Sequence, residues 1–408
     1  MTIQPGQDLT DSNHIFRFQL WALRICMMWP ADGGRKLIST AFKIILLCNS
    51  LVLSACTVLL LMKAIRTDDL VDRSEALDIF TLTGSANYKM VFFYYYHETF
   101  VDMAMCGLAL TPHLPPNWTK NCTLFSRIHC FSGFFSISFW AMCPVLKYLS
   151  GESSWEKMGY PINMHDPFNS TGFLYFLLYV TGHYAIILSA HIYMAADCFL
   201  FTSIYVANGA FQTLQDKIER MESLKGEKDR YQQDEAHQYL KSCIKLHVHI
   251  LDYMRKTDKL FRSMILVDVL HAIISLSFAM LQASESKGIF ENLKMVFFVA
   301  VCFIHQYLNS HFGQNLIDQQ TLVSDKVTVA VPWTEAPQTF KKTYMLLITG
   351  TQPVRKLSAW SVYKLQYSTF LEFVKSMISY YMVLRQLQDE ADHRQSKSST
   401  KLYEAQCF

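Results

Sequence analysis

The sequence predicts an all-α membrane protein of seven transmembrane helices, with an intracellular N-terminus, a cytoplasmic helical anchor region and an extracellular C-terminus. Three observations predict it. The 408 residues are 51% hydrophobic and 14% aromatic with only 17% charged, where soluble domains carry about a quarter charged residues. Apolar windows recur at about the 20-residue length that crosses a bilayer. Lysine and arginine accumulate in alternate loops, as they do on the cytoplasmic side of membrane proteins. A mean hydropathy of only +0.13 requires sizeable polar segments between the spans.

In chain order, residues 1–36 are expected to be a cytoplasmic N-terminal helical segment. They lack the basic start and short apolar core of a signal peptide, so the first span is expected to act as its own insertion signal. Transmembrane helices one to four occupy 37–207, with apolar windows at 44–62, 76–97, 128–146 and 167–196. The second is interrupted by Asp78 and Lys89. Residues 208–262 form cytoplasmic helical extensions, since Leu214, Ile218, Met221, Leu240, Ile244 and Leu251 recur at helical spacing. Disorder is the alternative only around 225–234, where charge dominates. Helices five and six fall in 263–312, the fifth interrupted by Asp268. A cytoplasmic anchor helix region spans 313–360, a pore-lining seventh helix 361–387, and a flexible extracellular tail 388–408. The basic residues concentrate in 208–262 and 313–360, which puts the N-terminus inside and opposes the orientation of a G-protein-coupled receptor.

Several function classes drop out. A net charge of +3 without a basic stripe excludes nucleic acid as a partner. The 11 cysteines follow no metal or disulfide spacing, and Cys48, Cys56, Cys198 and Cys302 lie in apolar runs as small hydrophobes. His247 and His249 point to opposite sides of a helix and do not pair on one metal. Neither hydrolase nor nucleotide-binding motifs occur, so no enzyme activity and no cofactor are expected. Asp229-Arg230-Tyr231 copies a G-protein-coupled receptor tripeptide but sits in a charged loop. Of the glycosylation sequons at Asn117, Asn121 and Asn169, only Asn169 is expected outside.

The seventh span carries the most chemistry. Lys364, Ser368, Glu372, Lys375, Ser379, Val383 and Gln386 are three or four residues apart, which places them within about 100° of arc on one helix face. Polar groups in a bilayer are costly and mark function by default. Several such helices around a water-filled path would satisfy the stripe. A Glu372–Lys375 pair buried against neighbouring helices is the alternative. Val383 and Leu387 end the stripe as aliphatic side chains able to close a pore by dewetting, with Gln386 and Ser379 beside them. A ligand pocket is expected from aromatic and small residues in the outer halves of other spans. They are Tyr88; Phe135, Phe139 and Trp140; His183, Tyr184 and Ile187, with Tyr179; and Phe297 and Phe298.

In the C-terminal third, Ser324, Val327, Ala330 and Trp333 precede Lys341 and Lys342, then Gln352-Pro353, Leu357, Ala359, Thr369-Phe370 and Ser379-Tyr380. That pattern resembles the signature region of insect odorant receptors. Trp29-Pro30, Asp197 and Gly313 extend the resemblance more weakly along the chain. Pro332 departs from the pattern, and Arg385 replaces an aliphatic residue beside the gate. The resemblance implies a ligand-tuned subunit of a heterotetramer formed with a shared co-receptor, because the long cytoplasmic insertion expected of the co-receptor is missing. It further implies a small volatile organic ligand, a single nonselective cation pore gated at Val383 and Leu387, and no G protein. Contact with membrane lipid and a place in the plasma membrane, in the dendrite of an olfactory neuron, follow from the same resemblance. A gustatory receptor of the same architecture is the nearest alternative, and a G-protein-coupled receptor a more distant one.

Overall fold

The computed structural model describes residues 15–29, 36–151, 164–166, 172–223, 233–285, 289–329 and 337–406. Their backbone is organised as helices α1 (Arg17–Ile25), α2 (Lys36–Arg66), α3 (Leu70–Tyr95), α4 (His97–Leu110), α5 (Trp118–Leu149), α6 (Gly172–Ser223), α7 (Gln233–Glu285), α8 (Ile289–Val329), α9 (Gln338–Thr351) and α10 (Tyr367–Gln406). A hairpin of two-residue strands, β1 (Ser358–Ala359) and β2 (Tyr363–Lys364), precedes α10. Asn169, Pro30, Ala330, Pro332, Trp333 and the Asp229–Tyr231 tripeptide lie outside the described residues.

Of the helices formed by the described residues, seven are long enough to cross hydrocarbon: α2, α3, α5, α6, α7, α8 and α10. Among the described residues, windows in α2, α6, α7 and α8 are also apolar enough to do so by composition alone. The 52 residues of α6 and 53 of α7 rise roughly 80 Å at about 1.5 Å per residue, far beyond a roughly 30 Å hydrocarbon core. Each therefore continues outside the bilayer, where residues such as Leu214, Ile218, Leu240 and Ile250 are fully buried. Asp69 caps α3 by accepting from the Asp72 N–H at 2.8 Å. That helix breaks at Tyr96 before α4 resumes.

Aromatic packing joins the residues flanking α1 to α3, α4, α6 and α7. Phe199 lies 5.5 Å from Phe16, 5.9 Å from Trp29 and 5.9 Å from Phe100, which stacks on Phe93 at 4.2 Å. Phe261 closes the cluster at 5.6 Å from Phe100. Gln19 of α1 shares hydrogen bonds with the hydroxyls of Ser126 (2.9 Å) and Thr202 (2.6 Å), which satisfies an amide that burial otherwise penalises.

One expectation needs correction. Lys364 is not on the seventh helix. Its strand pairs with Ser358, Leu365 N–H donates to Leu357 C=O at 3.0 Å, and the Thr369 hydroxyl donates back to Gln366 C=O at 2.9 Å. Those bonds use the backbone groups that a longer helix would need, so α10 starts at Tyr367. The hairpin is held against α7 and α8 by Ser358 N–H donating to Asp258 (3.0 Å), by the Gln320 amide bonded to Arg355 at both backbone groups (2.8 and 2.9 Å), and by Leu365 lying on the bare backbone of Gly313. The segment from 388 onwards continues the backbone of α10 as helix to Gln406.

His247, on the part of α7 beyond the bilayer, is buried and faces the Phe211 ring at 6.4 Å. Burial, then the nearby Arg355, pushes its pKa down to about 4. The unfolded chain takes up a proton at its ordinary value near 6.5 while the fold keeps the ring neutral. Stability is thus fully present above about pH 6.5 and falls by at most about 3 kcal/mol as pH drops towards 4. In thermal melts of the detergent-solubilised protein, His247→Gln is expected to flatten the melting curve's dependence on pH across that window. An identical acid dependence in both proteins removes His247 as a contributor.

Candidate functional site

The charges that interrupt the spans meet in the interior. Lys89 of α3, with a side chain only 1% exposed, reaches Asp268 of α7 at 2.7 Å and Asp197 of α6 at 3.2 Å. Its ammonium also lies 3.7 Å from the centre of the Tyr193 ring. Asp78 accepts from the Ser275 hydroxyl, and Lys294 reaches Glu75 at 3.2 Å. Helices with isolated charges are thereby tied to one another, because each charge must find a partner away from water.

A cavity of about 90 Å³ opens beside this cluster, walled by α3, α5, α6, α7 and α8. Gly133, Ile137, Met194 and Phe298 form its apolar side, and Asp197, Asp268, His271, His305 and Gln306 its polar side. A second, apolar recess of about 250 Å³ lies between α1, α5 and α6. Ala190 and Met194 border both spaces, and Met194 rests on Gly133, where any Cβ would collide with its sulfur.

Of the aromatic residues singled out as pocket candidates, Phe298 lines the cavity. Trp140 packs on Phe298 at 5.1 Å, and Phe135 and Phe139 meet Phe297 at 6.0 and 5.4 Å, which joins α5 to α8 next to it. The remaining candidates sit elsewhere. Tyr88 contacts Phe92 along α3 at 5.6 Å, His183 stacks along α6 with Tyr179 at 4.5 Å, and Tyr184 donates to Asn49 of α2 at 2.6 Å. Ile187 is partly buried against the core. Sequence reasoning missed Gly133, Ile137, Tyr193, Met194, His271 and His305. The signal available for the polar wall was the charge within spans; the apolar wall had none.

Narrowing the cavity tests it directly. Ile137→Phe adds volume to a wall residue, and sensitivity to an activating ligand is expected to fall about tenfold or more with surface expression unchanged. Dose–response curves and surface labelling provide the check, and an unaltered midpoint dissociates the cavity from ligand recognition.

On α10 the polar residues project away from the chain's own bundle. Ser368, Glu372, Lys375, Ser379 and Gln386 are exposed, as are Val383 (54%) and Leu387 (50%), whereas Phe373 and Met377 on the opposite face are buried. The Glu372–Lys375 pair is therefore not sequestered between helices of this chain. Arg385 leans along the helix to Asp389 at 3.7 Å, on the flank of the stripe.

A family model for the 7tm Odorant receptor matches residues 69–378. The chain belongs to the odorant receptor family. The receptor's fold is similar to that of the insect olfactory receptor OR5 from Machilis hrabei in complex with eugenol. That similarity has a TM-score of 0.74 at 14% identity and covers 91% of this chain and 97% of that one. A second structure of OR5 from Machilis hrabei gives a TM-score of 0.71 at 13% identity over the same shares of the two chains. No curated protein sequence matches. The receptor is thus a multi-pass membrane protein of the seven-helix odorant receptor fold, and this family is one of receptors rather than enzymes.

Proposed function

We propose that the receptor is a tuning subunit of a ligand-gated, nonselective cation channel in the plasma membrane of an olfactory neuron, and that it binds a small volatile in the cavity between α3, α5, α6, α7 and α8. The observation that carries this reading is the exposed polar stripe of α10. A helix that buries Phe373 and Met377 and exposes Glu372, Lys375 and Ser379 is stable at bilayer depth only if the exposed side meets water or other polar chains. Four subunits, this chain together with its co-receptor, would set those stripes around one aqueous path, with the N-terminus inside and the C-terminus outside. The volatile would act by favouring the conformation in which the constriction at Val383, Gln386 and Leu387 is wide, a population shift set by its differential affinity.

Support for a small volatile comes from family membership and from the eugenol held by a receptor of similar fold. Cysteine scanning along α10 in cells expressing the receptor with a co-receptor tests the pore. Glu372 and Ser379 are expected to react with water-soluble thiol reagents and to alter the current, with Phe373 inert. Reaction at Phe373 with Glu372 and Ser379 protected refutes the pore-lining assignment. Responses that vanish when G-protein signalling is blocked refute the channel itself.

A further inference from the structure

Asp197 uses its two carboxylate oxygens differently. Oδ1 accepts from Lys89, while Oδ2 has no hydrogen bond and faces His305 Nδ1 at 3.6 Å. His305 Nδ1 and His129 Nε2 are likewise without hydrogen bonds. One ligating atom from each of the three residues lies within 4.8 Å of the others. His129 and Asp197 are almost completely buried, and the His305 side chain is 12% exposed. α5, α6 and α8 thus each bring one possible ligand atom to the same part of the interior, and each of the three residues carries a buried polar atom without a hydrogen bond, which is unfavourable by about 1–3 kcal/mol.

Charge points the same way. Lys89 supplies one positive charge against Asp197 and Asp268, which leaves a surplus negative charge in a low-dielectric interior. A cation beside Asp197 Oδ2 offsets it.

We propose that His129, Asp197 and His305 bind a divalent transition-metal cation of the Zn²⁺ class. Two imidazole nitrogens and one carboxylate oxygen form the three-ligand set that leaves one tetrahedral position open. Bonds of about 2.0–2.1 Å put tetrahedral ligands roughly 3.3 Å apart, so the 3.6 Å edge between Asp197 and His305 needs little change, and side-chain rotation closes the widest one. The surroundings suit the ligands. Lys89 orients Asp197 from its other oxygen. Asn309, whose amide meets His305 Nε2 at 3.1 Å and whose own oxygen is unpartnered, accepts from Nε2–H when the amide is turned over, leaving Nδ1 free for the metal. Asp197 and His305 also line the 90 Å³ cavity, so the fourth position opens towards it. If that cavity is the odorant site, a volatile carrying a nitrogen or sulfur donor completes the shell; the metal site does not depend on that reading.

The test uses full-length receptor, purified in detergent and stripped with a chelator. Titration with Zn²⁺ is expected to show one bound equivalent, and Co²⁺ the visible bands of a four-coordinate ion on nitrogen and oxygen ligands, displaced by Zn²⁺. His129→Gln and His305→Gln are each expected to weaken binding at least about tenfold, and His393→Gln, at an exposed position of α10, to leave it unchanged. Lack of stoichiometric binding in the native receptor overturns the proposal and leaves a histidine proton as the counter-charge. A thiolate charge-transfer band with Co²⁺ overturns it in favour of cysteine ligands. Binding unaffected by both histidine variants does so in favour of a surface ion. The native-protein spectra decide the matter even if neither variant folds.

Discussion

Lys89→Met is expected to abolish folded receptor at the cell surface. The substitution keeps an unbranched apolar stem but removes the ammonium that bridges Asp197 and Asp268. Two carboxylates are then stranded between α3, α6 and α7, away from water. Breaking one side of such a buried pair costs about 3–5 kcal/mol, comparable to much of the stability of an ordinary domain. The cost comes from the charges left behind rather than from the ammonium lost. Lys89→Met combined with Asp197→Asn and Asp268→Asn is accordingly expected to recover a substantial part of the folded protein, since an uncharged, well-packed replacement for a buried ion cluster can be close to neutral. Size-exclusion profiles and melting temperatures in detergent measure both. A single variant that stays monodisperse and melts where the native protein does shows that the cluster is not structural.

The second large effect concerns the proposed gate. With Val383 and Leu387 both changed to Ser, the current without ligand is expected to rise at least about tenfold, because an aliphatic constriction blocks ions by excluding water and a hydroxyl-lined one does not. Ile378→Ser is the control: Ile378 is exposed on the flank of α10 and its substitution is expected to leave basal current alone. Patch-clamp recording of cells that co-express the receptor with an odorant receptor co-receptor, normalised to surface expression, compares them. Equal leak from the flank and the stripe argues for general loosening of α10 and against a gate at these two positions.

How far the site was legible follows from the kind of signal each residue leaves. Asp78, Lys89 and Asp268 stand out in the sequence because hydrocarbon tolerates charge poorly, so their presence announces a partner. Which partner it is cannot be read there. Asp197 lies 108 positions from Lys89, and nothing in local spacing relates them. The polar stripe of α10 was legible from helical geometry alone, apart from Lys364, whose hairpin depends on backbone bonds to Leu357 and Ser358. Aromatic residues were the least informative. Tyr88, His183 and Tyr184 have the same composition as pocket residues, yet they pack along their own helices or against α2.

By itself the sequence determined the all-helical membrane class, the number of spans and the polar, exposed face of α10. Those properties are set by hydropathy and by the 3.6-residue period, both local to a stretch of chain. Only the tertiary structure decided that Lys89 bridges two carboxylates, that Met194 sits on Gly133 between two cavities, and that His129, Asp197 and His305 converge. Those contacts join separate helices, and they depend on how each helix is rotated and translated against its neighbours, which side-chain packing across the whole bundle selects.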